Sequence, residues 1–172
     1  ERAYFHASAK REIYVQIPRE DPQWAPDLVG RLNLALYGTR DAAALWQECV
    51  AQHLEEIGFA RGRSNPCVFY HAGRDIRTLV HGDDYMSSGT LSSLKWLQQQ
   101  LEGKFEMKTV VVGHSKQPGV VAEGKILNRV VRATPRGWEY ESDQRHAEII
   151  IKMLELEEAK IAATPGADEP KM

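Results

Sequence analysis

Asp83 and Asp84 stand side by side in a run of turn-forming residues, His81-Gly82-Asp83-Asp84. The β-rich residues 75–80 precede them and Tyr85-Met86-Ser87-Ser88 follows, so strand, tight turn, strand is the economical reading. Such a turn would hold two carboxylates rigidly at the edge of a sheet. Magnesium takes hard oxygen ligands, often one or two carboxylates with substrate phosphates completing its shell. Two such ions about 4 Å apart can activate an attacking hydroxyl and steady a leaving oxygen in phosphoryl transfer. Asp and Gly are also simply good turn residues, and the dyad alone does not separate the two readings.

The elements that must position this turn follow from periodicity. Residues 12–17 alternate, are β-rich and are closed by Pro18, which predicts a strand; residues 19–26, with Pro22 and Pro26, form a loop. Leu45, Trp46, Cys49, Val50, His53 or Leu54, and Ile57 recur at helical spacing, and Gly58 stops the helix. Residues 66–71 and 75–80 read as strands. Thr90 caps a helix carrying Leu91, Leu94, Leu97 and Leu101, after which residues 105–112 read as a strand. Residues 126–133 and 138–141 form a hairpin through Thr134-Pro135-Arg136-Gly137, and Ser142 caps a last amphipathic helix. The dyad's hairpin is expected to share a sheet with the strand near residues 12–17 or with the N-terminal residues. The class is α+β with a largely antiparallel sheet and packed helices.

At 172 residues, 42% apolar and 27% charged, the composition is that of a globular chain able to bury its own core. The longest apolar run, residues 42–46, is far short of the roughly 20 residues of a membrane span, and no membrane partner is expected. Cys49 and Cys67 give no disulfide framework; they read as small core residues in a reducing compartment. A net charge of −2 argues against bulk electrostatic binding to nucleic acid. The charge is uneven, however. Arg61, Arg63, Arg74 and Arg77 cluster in residues 61–77, and Lys125, Arg129, Arg132 and Arg136 in residues 124–136. These patches suit either phosphate contact or solvated loops. His53, on the apolar side of its helix, reads as a satisfied histidine.

Several segments in order complete the picture. Leu36-Tyr37-Gly38 with Trp46, Gly58-Phe59, Ser64-Asn65-Pro66-Cys67-Val68-Phe69, the dyad with Gly89 behind it, Phe105-Glu106-Met107-Lys108 and Ala163-Thr164-Pro165 run through nearly the whole chain. In order and spacing they resemble the motifs of the reverse transcriptase domain of copia-type retrotransposon Pol polyproteins: L-Y-G-L-K-Q-A-P-R-A-W, G-F, S-D-P-C-L-F, Y-V-D-D, F-E-M-K and S-T-P. Ala3-Tyr4-Phe5 resembles the A-[FY]-[FL] that trails the family's first catalytic aspartate, which would lie two positions before Glu1, so a fragment truncated at its N-terminus is implied.

The resemblance implies a polymerase palm with the start of the thumb: residues 1–122 as palm with part of the fingers, 123–161 as palm-to-thumb hairpin and helix, and 162–172 as a flexible tail. It implies that Asp83 and Asp84 are catalytic and bind Mg2+, with Mn2+ as a substitute. Tyr4 would lie under the incoming sugar, near Asp83, or be only a core aromatic. Lys108 would approach the pyrophosphate or be merely solvated. Arg40, Lys125, Arg129 and Arg132 would contact the template–primer. The full protein would add deoxynucleotides to a primer, flanked by protease and integrase regions upstream and a ribonuclease H region downstream. It would act inside the cell, in cytoplasmic virus-like particles or the nucleus, and this chain alone would be inactive. Departures at His81, Gly82, Asp41 and Ala43 suit either a divergent lineage or a decayed relic that keeps only fold or nucleic-acid binding. The Gly in particular adds backbone freedom worth about 0.5–1 kcal/mol, and an anion at Asp41 would face phosphates unless turned away.

Overall fold

The computed structural model describes residues 3–114, 116–141 and 145–159, in two compact units, Glu1–Thr109 and Val110–Met172. The first unit opens with a 3-10 turn, Ala3–His6, and an extended arm containing β1, Tyr14–Gln16. That arm runs antiparallel to residues 29–35. β1 pairs with β2, Val29–Arg31, and the contact continues through Ala9 N–H to the Asn33 carbonyl at 3.0 Å and Ala35 N–H to the Ala7 carbonyl at 2.8 Å.

Helix α1, Ala42–Glu56, follows the predicted spacing: Ala42, Trp46, Val50, Ala51 and Leu54 are buried along one face. His53 shares that face, with Nε2 3.2 Å from the Gln100 carbonyl, so it is a satisfied histidine; burial holds its pKa below the ordinary value. Beyond Ile57, Gly58 takes φ +99°. The Gly58 N–H reaches the Glu55 carbonyl at 3.0 Å and the Phe59 N–H reaches the Leu54 carbonyl at 2.9 Å. These are the two closing bonds of a Schellman motif, and the buried Phe59 and Leu54 belong to one core cluster.

The main sheet has the order β3 (Ala60–Arg61), β4 (Val68–His71), β5 (Ile76–His81), β6 (Asp84–Ser88), all antiparallel. Alternation decides its faces. Phe69, Ile76, Thr78 and Val80 are buried, with Tyr85 and Ser87 on the same side, whereas Tyr70, Arg77, His81, Asp84 and Met86 are exposed. The Thr78 and Ser87 hydroxyls satisfy each other across the ladder at 2.9 Å. Helix α2, Leu91–Glu102, is capped by Thr90, whose Oγ1 accepts from the Ser93 N–H at 3.3 Å. Leu97 and Leu101 of α2 join Trp46, Val50, Leu54, Phe69, Ile76 and Val80 in one core.

In the second unit β7 (Val111–Val112) and β8 (Val120–Val121) form a short parallel pair. A meander follows: β9 (Glu123–Ile126), β10 (Arg129–Thr134) and β11 (Gly137–Glu141). Helix α3, Arg145–Met153, completes it. Among the described residues only β7 and β8 pair in parallel, so the architecture is α+β and largely antiparallel, as the sequence predicts.

Three expectations need correction. The strand near residues 12–17 does not join the dyad's sheet, because residues 29–35 take up its hydrogen-bonding edge. Residues 105–110 form no strand: Phe105 turns inward, its N–H bonded to the Leu101 carbonyl at 2.8 Å and its ring 5.2 Å from that of Trp46. The hairpin through residues 134–137 forms as expected, Thr134 pairing with Gly137, but the expected 126–133 strand is broken: Leu127 and Asn128 take positive φ and turn the chain back, so residues 123–126 add a third strand. Ser142 and residues 162–172 lie outside the described residues.

Gly58→Ala tests the helix stop. A Cβ there would meet His71 Nε2 at 3.0 Å and occupy a left-handed backbone. The variant should lose about 1–2 kcal/mol of unfolding free energy in urea titration.

Candidate active site

The dyad's geometry is set by a two-residue turn. His81 pairs with Asp84 across the ladder, leaving Gly82 and Asp83 as the loop. Gly82 has φ +63° and Asp83 is not in the positive region, the pattern of a type II′ hairpin turn, which places Gly at the first loop position. A Val there would be strained by about 1–2 kcal/mol. The glycine therefore suits its backbone, and the cost expected of its extra freedom is offset.

Asp83 forms the tip and Asp84 opens β6 on the exposed face of the sheet. Both carboxylates are exposed, and among the described residues neither is in an ion pair. No group of three or more His, Cys, Asp or Glu with metal-holding geometry occurs among the described residues. The donor set thus fits a hard divalent cation as part of a shell, two carboxylate ligands with oxygens from elsewhere completing it.

Beneath the turn, Trp46 of α1 donates its indole N–H to the Gly82 carbonyl at 2.8 Å. Trp46 is 3% exposed and its ring stands edge-on to Phe105. Tyr85, the next residue after the dyad, turns inward. Its hydroxyl is buried without a hydrogen-bond partner, and burial pushes its pKa up.

The remaining candidates lie on other elements. Tyr4 is half-buried and stacks on Tyr37, ring centroids 4.1 Å apart and 21° from parallel. The turn that carries it packs on α1: the Cys49 thiol points to the His6 carbonyl at 3.4 Å, and the His6 ring lies 6.1 Å from that of Trp46. Tyr4 and the dyad's turn therefore lean on the same helix. Arg40 is exposed just before α1, and Lys108 is exposed in the irregular stretch after α2. Asp41 is taken up by an ion pair. Arg11 grips it with Nε at 2.8 Å and Nη2 at 2.9 Å, and the guanidinium holds its carboxyl down at about 2.

Lys125, Arg129 and Arg132 belong to the second unit and do not form one surface. Lys125 pairs with Val130 and Arg132 with Glu123, which puts Lys125 and Arg132 on one face and Arg129 on the other. Arg132 is engaged by Glu123 at 2.8 Å and by Glu141 at 2.6 Å, whereas Arg129 lies over the Tyr140 ring.

Sequence reasoning used Trp46 only as a landmark. The available signal was chemical: a tryptophan on a buried helix face needs an acceptor for its N–H. The Arg11–Asp41 pair spans 30 residues and had no local signature.

Against known proteins, residues 1–120 match the family model described as Reverse transcriptase (RNA-dependent DNA polymerase), covering all of the first unit and the start of the second. The Transposon Ty1-DR4 Gag-Pol polyprotein of Saccharomyces cerevisiae is 28% identical over 116 residues, 67% of this chain and 7% of that protein. The Retrovirus-related Pol polyprotein from transposon TNT 1-94 of Nicotiana tabacum is 25% identical over 175 residues, 99% of this chain and 12% of that protein. The chain thus spans a small part of the curated relatives it matches. No solved structure matches it.

The Arg11 grip can be checked by following the Asp41 carboxyl by NMR. Its folded-state pKa lies below the ordinary value, so the pair's contribution is present above about pH 4 and is lost as pH falls through about 2. In Arg11→Met the midpoint should rise to the ordinary carboxylate range, near 3.9. An unchanged midpoint would show that the pair does not hold in solution.

Proposed function

The chain belongs to the reverse transcriptase (RNA-dependent DNA polymerase) family, and from that premise we propose that its first unit is a palm segment carrying part of a two-metal nucleotidyl-transfer site. The observation that carries this reading is the Gly82-Asp83 turn, which presents two adjacent exposed carboxylates from a hairpin braced on α1. In the full protein the reaction would be attack of a primer 3′-hydroxyl on the α-phosphate of a deoxynucleoside triphosphate, releasing pyrophosphate, with RNA or DNA as template.

Asp83 and Asp84 would hold Mg2+, or Mn2+ in its place. Bound there, the metal would supply Lewis-acid activation of the hydroxyl and charge neutralisation on the phosphates. Because both carboxylates project from a fixed turn, little reorganisation is needed to receive cations, the condition for electrostatic stabilisation. Tyr4, locked by its stack on Tyr37, would present its exposed part to the sugar and disfavour a 2′-hydroxyl. Lys108, exposed, would meet the leaving pyrophosphate. Arg40 would contact the nucleic-acid backbone, as would Lys125 and Arg129 from the second unit. For Arg132, held by two glutamates, the same role would require those ion pairs to open.

The wider reading is likewise a proposal. Residues 1–122 would be palm, 123–161 the approach to the thumb, within a polyprotein bearing protease, integrase and ribonuclease H regions. Its place would be cytoplasmic particles or the nucleus, where the free Cys49 and Cys67 stay reduced. Among the described residues no helix is long and apolar enough to cross a membrane.

The test uses a primed RNA template with labelled deoxynucleotides. A longer chain that includes the upstream segment should extend the primer, and Asp83→Asn should cut the rate by at least about 10²–10³-fold. The 172 residues alone, with Asp83 and Asp84 as their contribution, should show no extension. A longer chain that stays inert while still binding duplex would favour a non-catalytic relic instead.

A further inference from the structure

The central peptide of the dyad's turn has two nearly isosteric states. Type II′ and type I′ hairpin turns share a positive φ at the first loop residue and differ chiefly by a flip of the peptide that follows it. In this turn that peptide joins Gly82 to Asp83, so its carbonyl is the Gly82 carbonyl. Gly82 accepts either state. Aspartate is among the few residues that tolerate the left-handed φ required at the second position of type I′. Nothing in the composition of the loop therefore forbids the flip, and a flip would re-aim the Asp83 side chain.

Trp46 selects between the two states. Its N–H meets the Gly82 carbonyl at 2.8 Å in the observed turn, in which Asp83 is outside the positive-φ region. Flipping the peptide would swing that carbonyl away and strand a buried donor, a loss of about 1–3 kcal/mol. The donor itself has little freedom to follow. Trp46 is 3% exposed, edge-on to Phe105 at 5.2 Å, on the same helix face as the core residues Val50 and Leu54.

Resting on the polymerase reading above, we propose that Trp46 is a positioning residue for the Asp83–Asp84 turn: its indole N–H locks the Gly82–Asp83 peptide in the type II′ state and so fixes the carboxylates for a divalent cation. The residue touches neither substrate nor metal. Its effect is on which backbone state the ligands occupy before a cation arrives, a constraint of the kind that tunes metal affinity from outside the ligand set.

The probe is Mn2+ alone, added to the 172-residue chain while paramagnetic broadening of the Gly82, Asp83 and Asp84 amide resonances is followed by NMR. Two variants remove the donor. Trp46→Phe deletes the indole, and replacement of Trp46 by 3-benzothienylalanine puts sulfur in place of the N–H with the ring volume kept. Asp83→Asn is the control for the metal site. In both Trp46 variants the Mn2+ concentration for half-broadening should rise about tenfold, and the Asp83 amide should show a second conformer. Should Trp46→Phe fail to fold, the benzothienylalanine protein decides. If that protein titrates like the wild type while Asp83→Asn abolishes broadening, the positioning role is overturned and the metal site stands. If Mn2+ leaves the wild-type turn unbroadened, both fail.

Discussion

One hydrogen bond ties a helix to a turn 36 residues away, from the Trp46 indole to the Gly82 carbonyl. Its importance comes from what lies at each end. On one side is a loop with no side-chain packing of its own, where a Cβ on Gly82 would meet nothing within 4 Å. On the other is α1, held by Val50 and Leu54 at 1% and 0% exposure and closed by the Gly58 stop. An exposed hairpin tip is ordinarily the softest part of a sheet. Here it inherits the rigidity of the core through a donor that has no other acceptor among the described residues. The N-terminal turn with Tyr4 leans on the same helix, so α1 supports both turns.

Electrostatics explains why the turn stays outside. Two adjacent carboxylates repel, and burial without a cation would push them toward neutrality. Exposure lets water carry that burden. Tyr85, one residue further on, shows the opposite regime: its hydroxyl is buried and orphaned, and it stays neutral. The strand's period of two takes the chain from solvated charge to buried neutral ring in a single step.

Much of this was legible in the sequence because it is local. The helix over residues 41–57, its glycine stop, the Thr90 cap and the dyad's hairpin each rest on periodicity or turn chemistry within a few residues. What escaped notice is non-local. Whether residues 12–17 pair with the dyad's sheet or with residues 29–35 depends on competition for a strand edge, and β2 is only three residues long with a glycine at its centre. Phe105 looks like strand material, but its ring packs edge-on against Trp46 and His53 in the core. The motif order identified the family where geometry could not be foreseen, and residues 1–120 match its model. The basic residues of positions 125–132 cluster along the sequence, yet the register separates Arg129 from Lys125 and Arg132.

The departures from the family's motifs then take on a different meaning. Gly82 replaces a β-branched residue at a position with φ +63°, where such a side chain would be strained, so the substitution eases the turn rather than loosening it. Asp41 adds an anion, but Arg11 neutralises it with two hydrogen bonds. Ala43 sits exposed in the first turn of α1, where alanine is the best of helix formers and a proline has no packing role to lose. Three of the departures are thus accommodated by the chemistry around them in this fold. His81 alone has no such partner: it is exposed directly across the ladder from Asp84, and nothing in the structure explains why it stands there.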